Sequence, residues 1–497
     1  MSAWLLRRAR IAGRDRPRDL LVADGRIRSV GVARHDLADL PALEVVDLEG
    51  RFVGPGLWDA HVHVGQWALR SSRLDVSAAH SALGMAELLR AHLEVHPQPE
   101  GTVLVGQGFR DGLWPDVPGP ELLELGDTAI ALVSADVHTT WANRAALRLL
   151  GLPEDDWWLR EQPAFDLNVR LSAVDEATLD GWVLAAAERA AERGVVGIGD
   201  FEFDDAAGAW MRRFATGFRG LRVRAQVYPP HLEAARAAGI RTGAPLGDSG
   251  GLLTGGAYKL FTDGSLNTRT AWCDHPYPGL DGPDASGLPT YEGDGLLAAA
   301  REALAAGIVP TIHAIGDRAV AAALDAFEAL AIPAGAPDRG SIQHVQLLRD
   351  ADARRFAQLG VRASVQPEHL LDDRDVADHY WAGRTGRAYA FRTLLEAGAE
   401  LEFGSDAPVA PLDPWVAIAA AVTRVRDGRE PWHAEQAIPV AAALHASQGG
   451  VEALDEGGPA DLMVTDEDPL AVDPARLRTM AVHATMVAGE WSYRTTS

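Results

Sequence analysis

Short runs of alternating apolar and polar residues mark both ends of the chain. Ala3 to Ile11, Asp19 to Val30 and Leu43 to Leu48 read as strands, with Asp24-Gly25 as the tight turn of a hairpin. Ala460 to Thr465, Met480 to Val487 and the Gly489-Glu490-Trp491 segment repeat the pattern near the C-terminus. Either set alone would leave open sheet edges and half a core. The two ends are therefore expected to pair into one small β-sandwich domain, residues 1–53 plus 435–497.

The middle of the chain has a different rhythm. Apolar runs at Phe52 to Val64, Val195 to Phe201, Leu221 to Val227, Ala257 to Thr262, Ile308 to Ala314, Gly340 to Gln346, Val361 to Gln366 and Leu401 to Gly404 alternate with Ala/Leu/Glu/Arg-rich stretches. Leu179 to Arg193, Leu296 to Ala306 and Arg318 to Ala331 are amphipathic helices in this reading. Eight strand–helix units predict an α/β fold, a (β/α)8 TIM-like barrel over 54–434, with its chemistry at the C-terminal strand ends. About 130 residues separate the first two strands, far more than a connection needs. This interval holds its own strands (Thr102 to Gly108, Thr128 to Ser134). It is expected to be an inserted subdomain, 66–178, over the active site.

Composition narrows the partners. The chain of 497 residues is 47% hydrophobic and 23% charged, ordinary for a globular protein. A net charge of -24 lacks the basic footprint that nucleic acid or an anionic membrane requires. One cysteine, Cys273, excludes an internal disulfide framework and fits a reducing compartment. The N-terminal residues lack the apolar core of a signal peptide, and no apolar run approaches the ~20 residues that span a bilayer. The expectation is a cytoplasmic enzyme acting on a small molecule.

Candidate chemistry starts at Asp59-Ala60-His61-Val62-His63. On an extended strand, residues i and i+2 project from one face, so His61 and His63 would point together as two ligands of one ion must. The same spacing fits two packed or solvated histidines near a turn, and the rest of the chain has to decide. Lys259 lies on the fourth predicted strand, His313 ends the fifth, His344 lies on the sixth and Asp406 follows the eighth. Each has an ordinary explanation alone, as a surface charge or a packed histidine. Together they fall at the same end of successive strands, and imidazole with carboxylate suits Zn²⁺ and similar ions.

These segments resemble the amidohydrolase superfamily, and within it the amidohydrolase-3 branch that includes YtcJ-like proteins and N-substituted formamide deformylases. The likeness rests on Gly56-Leu57-Trp58-Asp59-Ala60-His61-Val62-His63, Lys259-Leu260-Phe261-Thr262-Asp263-Gly264-Ser265, His313-Ala314-Ile315-Gly316-Asp317, Gln343-His344-Val345-Gln346, Ser364-Val365-Gln366-Pro367 and Gly404-Ser405-Asp406-Ala407-Pro408. Family members often carry Glu where Gln343 stands. The resemblance implies that His61 and His63 bind a buried metal and that His313 and His344 bind a more exposed one. Lys259, carboxylated by CO₂, would bridge the two. Asp406 would contact the first metal and act as general base. One or two divalent ions, Zn²⁺ foremost, are implied, and a homodimer is the common assembly of such enzymes. A lysine ammonium cannot ligate a cation, so Lys259 makes sense there only as a neutral amine or a carbamate. Asp59 is better placed to orient the ligands than to join them.

The implied reaction is hydrolysis of a C–N bond, an N-formyl or N-acyl amide, by metal-activated water with Asp406 shuttling the proton. Cys273 is read as an ordinary loop residue. His138, in Asp136-Val137-His138, resembles the family's Asp-Gly-His segment and is a candidate catalytic contact to the substrate carbonyl, with a packed histidine as the alternative. Trp114, Gln366 and His369 are weaker candidates for the pocket wall. The rival readings are a metal-dependent deaminase, a cyclic amide or ureide hydrolase, and a degenerate barrel serving as a binding protein.

Overall fold

The computed structural model describes residues 3–31, 43–109, 111, 114–134, 139–160, 162–291, 293–451 and 453–495. They divide into two compact units, one of residues 1–64 with 187–497 and the other of 65–186.

The first unit contains an eight-stranded parallel sheet that closes on itself. Its strands are Leu57–Val62, Val195–Asp200, Arg222–Val227, Leu253–Phe261, Pro310–Ala314, Ser341–His344, Arg362–Val365 and Leu401–Phe403, in spatial order along the chain. Closure comes from the first and last strands. The Asp406 amide donates to the His61 carbonyl at 2.8 Å and the His63 amide to the Ala407 carbonyl at 2.9 Å. Gly404 makes this approach possible, because a Cβ there would lie 2.7 Å from both the Cβ and the backbone nitrogen of His61. The fold is a TIM-like α/β barrel, with crossover helices such as Gly295–Ala305 and Asp317–Leu330 between successive strands.

The apolar run Phe52 to Val64 is not one strand. Phe52–Pro55 pairs with Ala3–Ile11 and with Leu462–Thr465, and the barrel strand begins only at Leu57. Gly56 marks the change of sheet, where any Cβ would run into Val196. Strands from both chain ends thus share one eight-membered sheet. Its core brings Leu6, Leu20 and Val22 together with Leu462, Val464 and Met486.

The second unit has a five-stranded sheet in the order Trp158–Arg160, Thr139–Ala142, Ala129–Ser134, Val103–Phe109, Leu74–Asp75. Its core includes Met85, Leu89, Phe109, Ile130 and Trp141. Trp114 packs into this core, with ring centroids 5.7 Å from Phe109 and 6.3 Å from Trp141. In the other unit Trp210, Trp381 and Trp415 are fully buried, so these tryptophans serve core packing. No helix among the described residues is long and apolar enough to cross a membrane.

Candidate metal centre

Barrel closure decides which side chains meet first. Because the first and eighth strands bond at His61 and Asp406, their side chains converge at the C-terminal end. His61 Nε2 lies 3.5 Å and His63 Nε2 3.3 Å from one oxygen, Oδ1, of Asp406. The two imidazoles sit 5.5 Å apart by centroid. Asp59 stands behind them, its Oδ1 accepting from the amides of His61 (3.2 Å) and Ser405 (2.8 Å). It ties the two strand ends together and its burial pushes its pKa up to about 7.

The middle strands add the next layer through register. Lys259 pairs with Thr311, Phe261 with His313 and Ala314 with His344. Lys259 is 1% exposed, with its Nζ 4.8 Å from the Phe201 ring and 5.0 Å from the Phe261 ring. Among the described residues it makes no hydrogen bond or ion pair. Burial lowers its pKa to about 7, and the nearby Asp406 carboxylate offsets only part of that fall. Phe201 also stacks on His61 at 3.9 Å, so one phenyl ring dries both groups.

His344 required a break in the strand. Ser341 and Gln343 face the barrel interior, and strict alternation would turn the next residue outward. His344 and Val345 instead take φ values of 74° and 47°, which swing the His344 ring to within 4.4 Å of His313 and 5.2 Å of His61. Asp406 has φ 57°. Such left-handed geometry in non-glycine residues costs roughly 1–3 kcal/mol each and gathers at functional sites. The ligand atoms of His61, His63 and Asp406 lie within 4.8 Å of one another, and so do those of His344, His369 and Asp406. His369, ranked low from the sequence, therefore belongs to this cluster, at the start of the helix His369–Tyr380.

His313 makes a different contact. Its Nε2 is 3.1 Å from the Gly264 carbonyl and 3.5 Å from Asp263 Oδ1. A carbonyl only accepts, so Nε2 carries the proton and Nδ1 keeps its lone pair. Asp263 accepts from the amides of Ile315, Gly316 and Trp272 and clamps the fourth strand's loop to the end of the fifth.

Electrostatically three of the histidines are held neutral. Burial lowers His61, His313 and His344, His313 to about 3, and the charge of Lys259 adds to the effect on each. Burial would raise Asp406, but the surrounding imidazoles hold it well below the usual carboxylate range. Neutral imidazoles at His61, His313 and His344 near an ionised carboxylate, beside an unpartnered amine, form a donor set that fits a divalent cation.

Other sequence candidates fall elsewhere. His138 lies outside the described residues. Cys273 is fully buried, its thiol 3.7 Å from the Tyr277 hydroxyl and pushed by burial up to about 11. Gln366 is buried with its Oε1 unpartnered. Sequence reasoning missed Gln343, Asp263 and Phe201 as supports of the cluster. Gln343 and Asp263 stand within the quoted motifs and Phe201 ends a predicted strand, and only their hydrogen bonds and stacking reveal the role.

The chain is 27% identical to the putative amidohydrolase YtcJ of Bacillus subtilis, over 96% of both chains. It is 26% identical to the N-substituted formamide deformylase of Arthrobacter pascens, over 96% of this chain and 95% of that one. The crystal structure of an uncharacterized metal-dependent hydrolase from Pyrococcus horikoshii superposes with a TM-score of 0.78 at 26% identity, over 95% of this chain and 99% of that chain. The model of the amidohydrolase family matches residues 44–493, and the chain belongs to that family, in its amidohydrolase-3 branch.

Proposed function

We propose that this protein is a metal-dependent hydrolase that cleaves a C–N amide bond of the N-formyl or N-acyl type. The observation that carries the reading is the convergence of His61 and His63 Nε2 on Asp406 Oδ1 beside the buried, unpartnered Lys259. The deformylase relative supports the choice of bond. His61, His63 and Asp406 would hold one ion, and His313 and His344 a second. Lys259 would join both as its carbamate, because an amine near neutrality can add CO₂ and a buried ammonium cannot.

When bound, the ion supplies an acidified water and polarises the substrate carbonyl. The chain's own residues do the rest. Asp406, ionised and facing the imidazoles, takes the proton of the attacking water and returns it to the leaving nitrogen as the C–N bond breaks. Asp59 and Asp263 hold the strand ends so that donors need not reorganise during the reaction. Phe201 and Phe261 keep water from Lys259. His369 stands beside Asp406, within reach of a group bound there.

The test is a panel of N-formyl amines, N-acyl amino acids and cyclic ureides, with divalent metal measured on the same preparation. Hydrolysis of formyl or acyl amides, proportional to metal content, is expected. Turnover of ureides alone would move the assignment to cyclic amides, and ammonia release from an aminated ring to deaminases. A metal-free protein that stays inert after metal is supplied would end the enzyme reading.

A further inference from the structure

Five histidines surround the centre, and their second nitrogens differ in support; His369, at the start of its helix, has Nε2 buried without a hydrogen-bond partner. Nδ1 of His63 and Nδ1 of His344 are buried without a hydrogen-bond partner. His313 is tethered by a backbone carbonyl. His61 is held by a side chain, with Nδ1 2.8 Å from Gln343 Oε1.

The amide of Gln343 is itself fixed. Its Nε2 donates to Thr311 Oγ1 at 2.8 Å and to Ser341 Oγ at 3.0 Å, and these two hydroxyls lie 2.7 Å apart. Gln343 is 2% exposed. Below it opens a cavity of about 480 Å³ that Thr311, Ser341 and Gln343 help to line. The residue thus forms a polar wall between the histidine cluster and the lower half of the barrel.

We propose that Gln343 is the positioning residue of the metal centre, holding His61 with Nδ1 protonated and Nε2 bare, and setting by its neutrality how tightly the ion is retained. This rests on the metal-centre reading given above. The orientation of the amide is decisive. A side-chain carbonyl must receive the ring proton, which leaves the lone pair on Nε2, the nitrogen that faces Asp406. The opposite orientation would donate to Nδ1 and move the proton to Nε2, where it would shut out a cation.

Charge supplies the second half. A carboxylate accepting from a ligand imidazole makes the ring a stronger donor, and loss of such a partner weakens metal binding by roughly 10–100-fold. An amide carbonyl orients the ring equally well with less electron push. Gln343 therefore selects geometry without maximal affinity, and an ion held this way would acidify water more strongly than one neutralised by a further carboxylate.

Three variants test this in the full chain: Gln343→Met, which keeps volume and removes the acceptor; Gln343→Glu, which keeps the acceptor and adds charge; and Thr311→Val, which removes one anchor of the amide. Competition with a chelator for Zn²⁺ is expected to show affinity weakened about tenfold or more in Gln343→Met, raised in Gln343→Glu and slightly weakened in Thr311→Val. The acidic limb of the pH–rate profile should move up in Gln343→Glu. Equal weakening by Met and Glu would reduce Gln343 to a packing residue, and unchanged affinity in Met would overturn the proposal outright. Nitrogen-15 NMR of the imidazoles in the metal-free chain needs neither ion nor substrate. A proton on Nδ1 of His61 in the wild type supports the proposal, and one on Nε2 refutes it. A wild type that binds no divalent ion would end the hydrolase reading while this NMR result still decided the role of Gln343. Should Gln343→Met fail to fold, the affinities of the Glu and Val variants decide between the same outcomes.

Discussion

At the N-terminal end of the barrel, Arg224 meets Glu402 at 3.1 Å, and Arg362 meets Asp338 at 3.0 Å and Glu402 at 3.5 Å. At the C-terminal end, Lys259 has no ion-pair partner among the described residues, and Asp406 lies against the imidazoles of His61 and His63. The two ends share strands: Arg224 lies within Arg222–Val227, Arg362 opens Arg362–Val365, and Glu402 lies in Leu401–Phe403, the strand that leads to Asp406. Burial acts on both, with opposite results. It would lower Arg362, yet Glu402 and Asp338 hold that guanidinium above its usual value. Lys259, lacking such partners, falls to about 7, and His313 to about 3. Paired charges remain charges and serve the fold. Unpaired groups are driven neutral, and neutral amine and imidazole are the forms that can react with CO₂ or bind a cation. The cavity of about 480 Å³ lies at the paired end, so volume alone does not mark the chemistry here.

Asp406→Asn should disturb this contrast most. The amide preserves shape and a coordinating oxygen but cannot take a proton from water. Turnover should fall by roughly 10²–10⁴-fold while bound metal stays near the wild-type level. Metal content and kcat measured together check it. Retained activity would remove Asp406 as base, and loss of metal would make it chiefly a ligand.

Lys259→Met probes the unpaired end through stability. The folded pKa of Lys259, about 7, lies below its ordinary 10.5. The unfolded chain therefore takes up this proton first as pH falls, and wild-type stability is lost between about pH 10.5 and 7. Methionine fills similar space without that penalty. In metal-free, CO₂-free buffer the variant should match the wild type near pH 10.5 and exceed it increasingly toward pH 7, by at most about 5 kcal/mol. Urea denaturation at several pH values reads the difference. A margin independent of pH would show that Lys259 is not the titrating group.

Gly404→Ala tests the seam between the first and last strands. Its Cβ would press on His61, so a cost of about 1–3 kcal/mol and weakened metal binding are expected, read by thermal unfolding and metal titration. Undiminished metal binding would mean that the His61 ring does not depend on this close approach.

Much of this architecture was legible because buried parallel strands are short apolar runs between amphipathic helices, and the predicted set overlaps the observed one strand by strand. The break at Gly56 was not legible, since Phe52 to Val64 is equally apolar in the terminal sheet and in the barrel. The candidate residues could be gathered because each stands at a strand end, where closure brings distant positions together. The inward aim of His344 was hidden: alternation from Gln343 sends it outward, and only the left-handed turn at His344 and Val345 reverses that. The support given by Gln343 was hidden as well, because a glutamine beside a histidine says nothing about which ring it will face across the barrel. His369 stayed ambiguous for a related reason, opening the helix after the seventh strand, where strand register no longer dictates direction.

Arg362→Met provides the mirror of the lysine substitution and the smallest of these effects. The change of side chain is of the same kind, a long cation replaced by a flexible apolar group of similar length. Here it leaves Asp338 and Glu402 without the guanidinium that both touch, a side chain 20% exposed. Breaking a fully buried pair costs about 3–5 kcal/mol, and partial solvation should reduce the cost to about 1–2 kcal/mol. Adding Asp338→Asn should recover part of the loss, because one of the stranded carboxylates becomes neutral. Metal affinity and kcat should not move, since Arg362 bonds to no member of the histidine cluster. Chemical denaturation of the single and double variants gives the coupling directly. One substitution should thus stabilise the barrel at its C-terminal end and destabilise it at the other. If Arg362→Met also stabilised, the ion pairs would be as dispensable as the lone lysine's charge, and the distinction between the two ends would rest on the metal site alone.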